Sequence, residues 1–125
     1  MSGRILIVDD SAIIRHSLRA CIENNTDWEV CGEAENGEVA VEKVRQLHPD
    51  VVTLDWQMPV MNGFDAAAEI RRLPDAKKAS TPIIALTASA TSDVRDKVLA
   101  SGMQDYITKP FNPDELIVKL KRYVS

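Results

Sequence analysis

The sequence predicts an α/β fold built on an open, parallel, doubly wound sheet, and three observations carry that expectation. Short β-branched apolar runs alternate with longer stretches of helical periodicity, five of each in strict order. Such alternation implies crossover connections, which parallel strands need and which place helices on both faces of a sheet. Five units are too few for an eight-stranded barrel, and 125 residues suit one domain with one sizeable core.

Each element has its own local reason. Arg4–Val8 (RILIV) reads as a buried strand, and Ser11 opens a helix with Ile14, Leu18 and Cys21 or Ile22 at helical spacing. Glu29–Ala34 (EVCGEA) is a second strand, weakened by Gly32. Gly37–Leu47 carries Ala40, Val41, Val44 and Leu47 on one helical face. His48-Pro49 stops that helix, because the residue before proline is pushed out of the α region. A third apolar run, residues 51–54 (VVTL), ends in Asp55. Asn62 caps a helix over 62–72, with Asp65 well placed in its first turn. Residues 74–81 read as a loop, and Pro82 begins a fourth strand, PIIAL, at the position where a strand tolerates proline. A helix over 92–101 closes at Gly102, and Asp105–Thr108 (DYIT) is a short fifth strand. The last helix starts at Asn112, with Pro113 in its first position and Glu115 placed for a capping box. Its buried stripe is Leu116, Ile117, Leu120 and Val124, while Lys119, Lys121 and Arg122 face water.

Composition narrows the function classes. Apolar residues make up 45% and charged residues 27%, which fits a soluble globular domain and leaves no room for long disorder. The net charge of −4 argues against binding nucleic acid through a basic face. No apolar run approaches membrane-spanning length, and the first one, residues 5–8, is too short for a signal peptide. Cys21 and Cys31 lack any metal or redox spacing and read as two buried thiols of a reducing compartment, so a cytoplasmic setting is expected.

The chemistry is concentrated just past the strands. Asp9 and Asp10 follow the first run, Asp55 the third, Thr87 the fourth and Lys109 the fifth. An open parallel sheet gathers ligands beyond the carboxyl ends of its strands, so all five belong on one rim. Three crowded carboxylates raise one another's pKa unless a cation neutralises them, and an all-oxygen set suits a hard ion such as Mg²⁺. Lys109 and Thr87 beside it form a cradle for a tetrahedral anion, and phosphoryl transfer depends mostly on such positioning and charge neutralisation. Aspartate is a competent phosphoryl acceptor. Each residue also has a plainer reading: Asp10 as a helix cap, Thr87 as a loop hydroxyl, Lys109 as a surface lysine. His16 and His48 read as surface or helix-flank residues.

The segments VDDS at 8–11, LDWQMPVMNG at 54–63, ALTA at 85–88 and YITKPF at 106–111 resemble the bacterial response-regulator receiver family, over essentially the whole chain. The resemblance implies a single receiver domain over 1–125, with a flavodoxin-like sheet of strand order 2-1-3-4-5 and five helices. It implies that Asp55 is the phosphoacceptor, with Mg²⁺ held by Asp10, Asp55 and the backbone carbonyl of Gln57, and Asp9 acting mainly through water. Lys109 would pair with the phosphoryl oxygens, and the Ala88 amide would add a donor. Thr87 would be the switch hydroxyl that Tyr106 follows, and the Lys109-Pro110 bond would be cis. The implied donor is a histidine kinase or histidine-phosphotransfer protein. The implied output is a protein effector at the face built from the helix at 92–101, the fifth strand and the last helix. Gln104-Asp105 departs from the acidic pair of dimerising relatives, so a monomer is expected.

Two rival functions are weighed against this one. A phosphatase using an aspartate nucleophile needs a general acid two residues later, where Gln57 stands, and glutamine cannot serve. The lost acid favours an acyl phosphate that persists, with at most slow self-dephosphorylation. A flavin phosphate would be repelled by the acidic Asp9-Asp10-Ser11 turn.

Overall fold

The computed structural model describes residues 3–56, 61–88, 91–109 and 111–124. The elements run β1 (Arg4–Val8), α1 (Ala12–Asn25), β2 (Glu29–Ala34), α2 (Gly37–Leu47), β3 (Val51–Asp55), α3 (Gly63–Arg71), α4 (Ala76–Ala79), β4 (Ile83–Thr87), α5 (Ser92–Ala100), β5 (Asp105–Thr108) and α6 (Pro113–Lys121). The strands form one sheet in the order β2-β1-β3-β4-β5, and every pair is parallel. The strand order reverses between β1 and β3, the switch point at which such sheets leave a crevice beyond their carboxyl ends.

The period-two alternation of the central strands sorts the core onto the two faces. Leu6, Val8, Val52, Leu54, Ile83 and Ala85 pack with Ala40 and Val44 of α2, Ala67 and Ile70 of α3, and Val94 and Val98 of α5. Their neighbours Ile5, Ile7, Val51, Ile84, Leu86 and Ile107 pack with Leu18 and Ile22 of α1 and Leu116 and Leu120 of α6. Strands covered on both faces read as continuous apolar runs, as these do. Cys21 lies in the second layer, whereas Cys31 is only half-buried, at the bulge that shifts the β1–β2 register; both are free thiols.

The helix starts follow local side-chain chemistry. Ser11, Asn36, Asn62, Thr91 and Asn112 each accept a hydrogen bond from a first-turn amide of α1, α2, α3, α5 and α6 respectively. Gly102 takes φ 83° just after α5, where a side chain would be strained. His48 ends α2 with φ 50°.

Two expectations need correction. Among the described residues there are six helices rather than five: the segment read as a loop contains α4, because Asp75 accepts from the amides of Lys77 and Lys78, and Ala76–Ala79 are good helix formers. Lys119 does not simply face water. Its ammonium donates to the Tyr106 carbonyl at 2.7 Å, lies 3.4 Å from an Asp105 carboxylate oxygen and stands 5.1 Å from the centre of the Tyr106 ring.

Candidate functional site

The rim expected from the sequence forms at the switch point. β1 ends at Val8 and delivers Asp9 and Asp10, while the adjacent β3 ends on Asp55 itself. One oxygen from each of these three carboxylates lies within 4.8 Å of the others. Asp9 is fully buried and Asp55 nearly so, whereas Asp10 is exposed. Ser11, not Asp10, caps α1, so the plainer role for Asp10 as a helix cap falls away.

Asp9 is fixed on every polar atom. Its amide donates to Ala34 O at 3.0 Å, and its carbonyl accepts from Arg15 Nη1 at 2.5 Å. Its Oδ1 accepts from the Ser11 amide at 2.9 Å, and its Oδ2 accepts from Lys109 Nζ at 2.8 Å. Lys109 arrives from the other side of the site: Thr87 pairs with Thr108, and the Lys109 amide donates to Thr87 O at 2.7 Å. Its ammonium also stands 3.3 Å from Asp55 Oδ2. Burial works against the charged form of Lys109, but the hydrogen bond and charge of Asp9 and the charge of Asp55 outweigh it and hold its pKa above the ordinary lysine value.

The α3 start is pressed against this loop. The Gly63 amide donates to Trp56 O at 3.0 Å, and a Cβ on Gly63 would come within 2.5 Å of Trp56 Cα and 2.8 Å of Asp55 O. Only glycine permits that approach. Trp56 packs edge-on against Phe64, with ring centroids 4.8 Å apart, and Lys97 Nζ of α5 lies 6.0 Å from the Trp56 ring.

Thr87 is buried at the end of β4, and Ala88 after it is exposed. Tyr106 is paired with Ala85 in register, which places it diagonally behind Thr87 on the same face of the sheet. Tyr106 is half-buried, and its hydroxyl accepts from Arg95 Nη2 at 3.5 Å. Gln57, Ser89 and Pro110 lie outside the described residues, and with them the expected metal-binding carbonyl and the expected cis bond. His16 and His48 are both exposed.

Sequence reasoning missed Arg15 and Gly63. A signal for Arg15 was present: a cation near the start of a helix works against the macrodipole, and α1 has no acidic residue in its first turn. The donor set also fits the expected cation. Among the described residues the cluster is three carboxylates without imidazole or thiolate, which suits a hard divalent ion, and Lys109 offsets only part of their charge.

A doubly wound parallel sheet with three carboxylates and a lysine gathered at its switch point defines a class of α/β domains that bind ligands beyond their strand ends. Within it, the chain belongs to the response regulator receiver domain family, whose profile matches residues 5–121. It is 42% identical over 123 residues to the chemotaxis protein CheY of Thermotoga maritima, covering 98% of each chain. A protein-glutamate methylesterase/protein-glutamine glutaminase of Pyrococcus abyssi is 40% identical, with 94% of this chain covered but 34% of that protein's length. Among solved structures, the receiver domain of a Pseudomonas aeruginosa sensor histidine kinase, with magnesium in its active-site cleft, superimposes with a TM-score of 0.86 at 32% identity, covering 98% of each chain. Membership makes this a receiver domain of two-component signalling, a phosphoacceptor module, and its cluster of Asp9, Asp10 and Asp55 could hold a metal ion. Among the described residues, no helix is long and apolar enough to cross a membrane.

Proposed function

We propose that residues 1–125 form a single receiver domain that acts as a signalling switch, in which Asp55 accepts a phosphoryl group from a phosphohistidine of a kinase or phosphotransfer protein. The observation that carries this reading is the placement of Asp55 among two further carboxylates, all within 4.8 Å, with the Lys109 ammonium 3.3 Å away. In the transfer, the donor's N–P bond breaks as a bond forms between phosphorus and a carboxylate oxygen of Asp55; the imidazole keeps the bonding electrons and is reprotonated from solvent.

Asp10 and Asp55 would hold Mg²⁺ directly. Asp9, whose two oxygens already accept from Ser11 and Lys109, would act through water. The bound ion would neutralise charge on the transferring group. Lys109 would then exchange its contact with Asp55 for one with the phosphoryl oxygens, and the Ala88 amide would add a donor.

Thr87 and Tyr106 relay the change. Drawing the Thr87 hydroxyl toward the phosphoryl group biases Tyr106 away from Arg95 and Lys119 and reshapes the face of α5, β5 and α6. That face carries a groove of about 320 Å³ lined in part by Arg95, Leu99, Tyr106, Lys119 and Arg122, which supports a protein effector with acidic and apolar groups. Asp105 is engaged within the chain by Lys119 and Arg122 at 3.4 and 3.6 Å, which supports a monomer. The reading includes a cytoplasmic setting, no direct contact with nucleic acid, and no catalytic turnover beyond slow loss of the phosphoryl group.

Trp56 fluorescence in a Trp28→Phe background tests the reading. It should respond to Mg²⁺ and then to beryllofluoride, a phosphoryl mimic. Asp55→Asn should abolish the second response, and a response that persists in that variant overturns the assignment.

A further inference from the structure

Asp9 is held through four polar atoms, whereas the neighbouring Asp10 is exposed and makes no hydrogen bond or ion pair among the described residues. The position of Asp10 must therefore be set through the backbone. The Asp9 carbonyl and the Asp10 amide share one rigid plane, so whatever fixes that oxygen fixes where Asp10 begins. The group that fixes it is the Arg15 guanidinium, 2.5 Å away.

Arg15 is itself held. Its Nε donates to Glu33 Oε1 at 3.0 Å, and the other oxygen of Glu33 takes Arg19 at 2.7–2.8 Å. The Arg15 side chain is only 16% exposed. The network thus runs from β2 through α1 to the loop after β1. It also retains a cation near the start of α1, where the helix dipole disfavours one.

We infer that Arg15 is a positioning residue for Asp10, acting through the Asp9–Asp10 peptide and braced by Glu33. The inference rests on the reading that these carboxylates bind a divalent cation. Charge and positioning here predict opposite signs. As a nearby positive charge, Arg15 repels the incoming cation, so its removal should tighten binding. As the anchor of the Asp10 peptide, it raises affinity, and its removal should weaken binding as loss of an outer-shell partner does.

Calorimetric titration of the purified chain with Mg²⁺ separates the two. Arg15→Met should weaken binding roughly tenfold, in the range set by outer-shell substitutions, with far-UV dichroism unchanged from wild type. Arg15→Lys, which keeps the charge and can reach one acceptor, should recover part of the loss. Glu33→Gln leaves Arg15 in place without its brace; it should weaken binding by less, and it serves where Arg15→Met does not fold. Unchanged or tighter Mg²⁺ binding in folded Arg15→Met, or unchanged binding in Glu33→Gln, overturns the inference. Failure of the underlying reading is distinct: wild type would give no saturable heat, or Asp10→Asn would bind as wild type does.

Discussion

The Lys109 ammonium, carried just past the end of β5, reaches across β4 to stand 3.3 Å from Oδ2 of Asp55 at the end of β3. It is a cation held in the acidic crevice, and on the proposed reading it competes with the metal ion and prepares for the phosphoryl group.

Removing it should separate these two roles. Lys109→Met should bind Mg²⁺ severalfold more tightly, because the carboxylates lose their internal counter-charge. The same variant should lose the beryllofluoride-induced change at Tyr106, followed by ¹⁹F resonance of a fluorotyrosine-labelled chain. Weaker Mg²⁺ binding in Lys109→Met would contradict the account.

Thr53 offers a stability test away from the chemistry. It is fully buried in the middle of β3, and its hydroxyl has no hydrogen-bond partner among the described residues. Burying an unmatched hydroxyl is costly, and valine has nearly the same shape. Thr53→Val should stabilise the fold by about 1 kcal/mol, which raises Tm by roughly 3–5 °C. Differential scanning calorimetry checks it; a lower Tm would show that the hydroxyl is satisfied in solution.

Glu33 sets a pH dependence. Partial burial pushes its carboxyl pKa up, but hydrogen bonds and charge from Arg19 and Arg15 outweigh it and hold the pKa below the usual glutamate value. A carboxyl with a depressed folded pKa contributes stability above its unfolded value, and that contribution is lost as pH falls through the folded value. Glu33→Gln should therefore cost about 0.5–1 kcal/mol at neutral pH, and the difference from wild type should vanish in acid. Urea titrations across that range measure it, and a difference that grows toward acid would reverse the sign.

The sheet, its order of elements and the five rim residues were legible because each depends on local pattern. An apolar run ending in Asp55, or Asn62 three residues before Asp65, carries its message within a few positions. What escaped depends on contacts between distant segments. Lys119 covers Tyr106 because α6 packs beside β5, and Arg15 reaches Glu33 across 18 positions because α1 packs beside β2. The short α4 escaped for another reason: four residues are too few to show a helical period, and Pro74 made the stretch read as loop.

The central claim is that Asp55 is the phosphoacceptor. Incubation with acetyl phosphate and Mg²⁺, followed by borohydride trapping and peptide mass spectrometry, tests it most directly. The account predicts reduction of the acyl phosphate at Asp55 alone, absent when EDTA replaces Mg²⁺ and absent in Asp55→Asn. Trapped label at another residue in the wild-type chain, or undiminished labelling of Asp55→Asn, would contradict it.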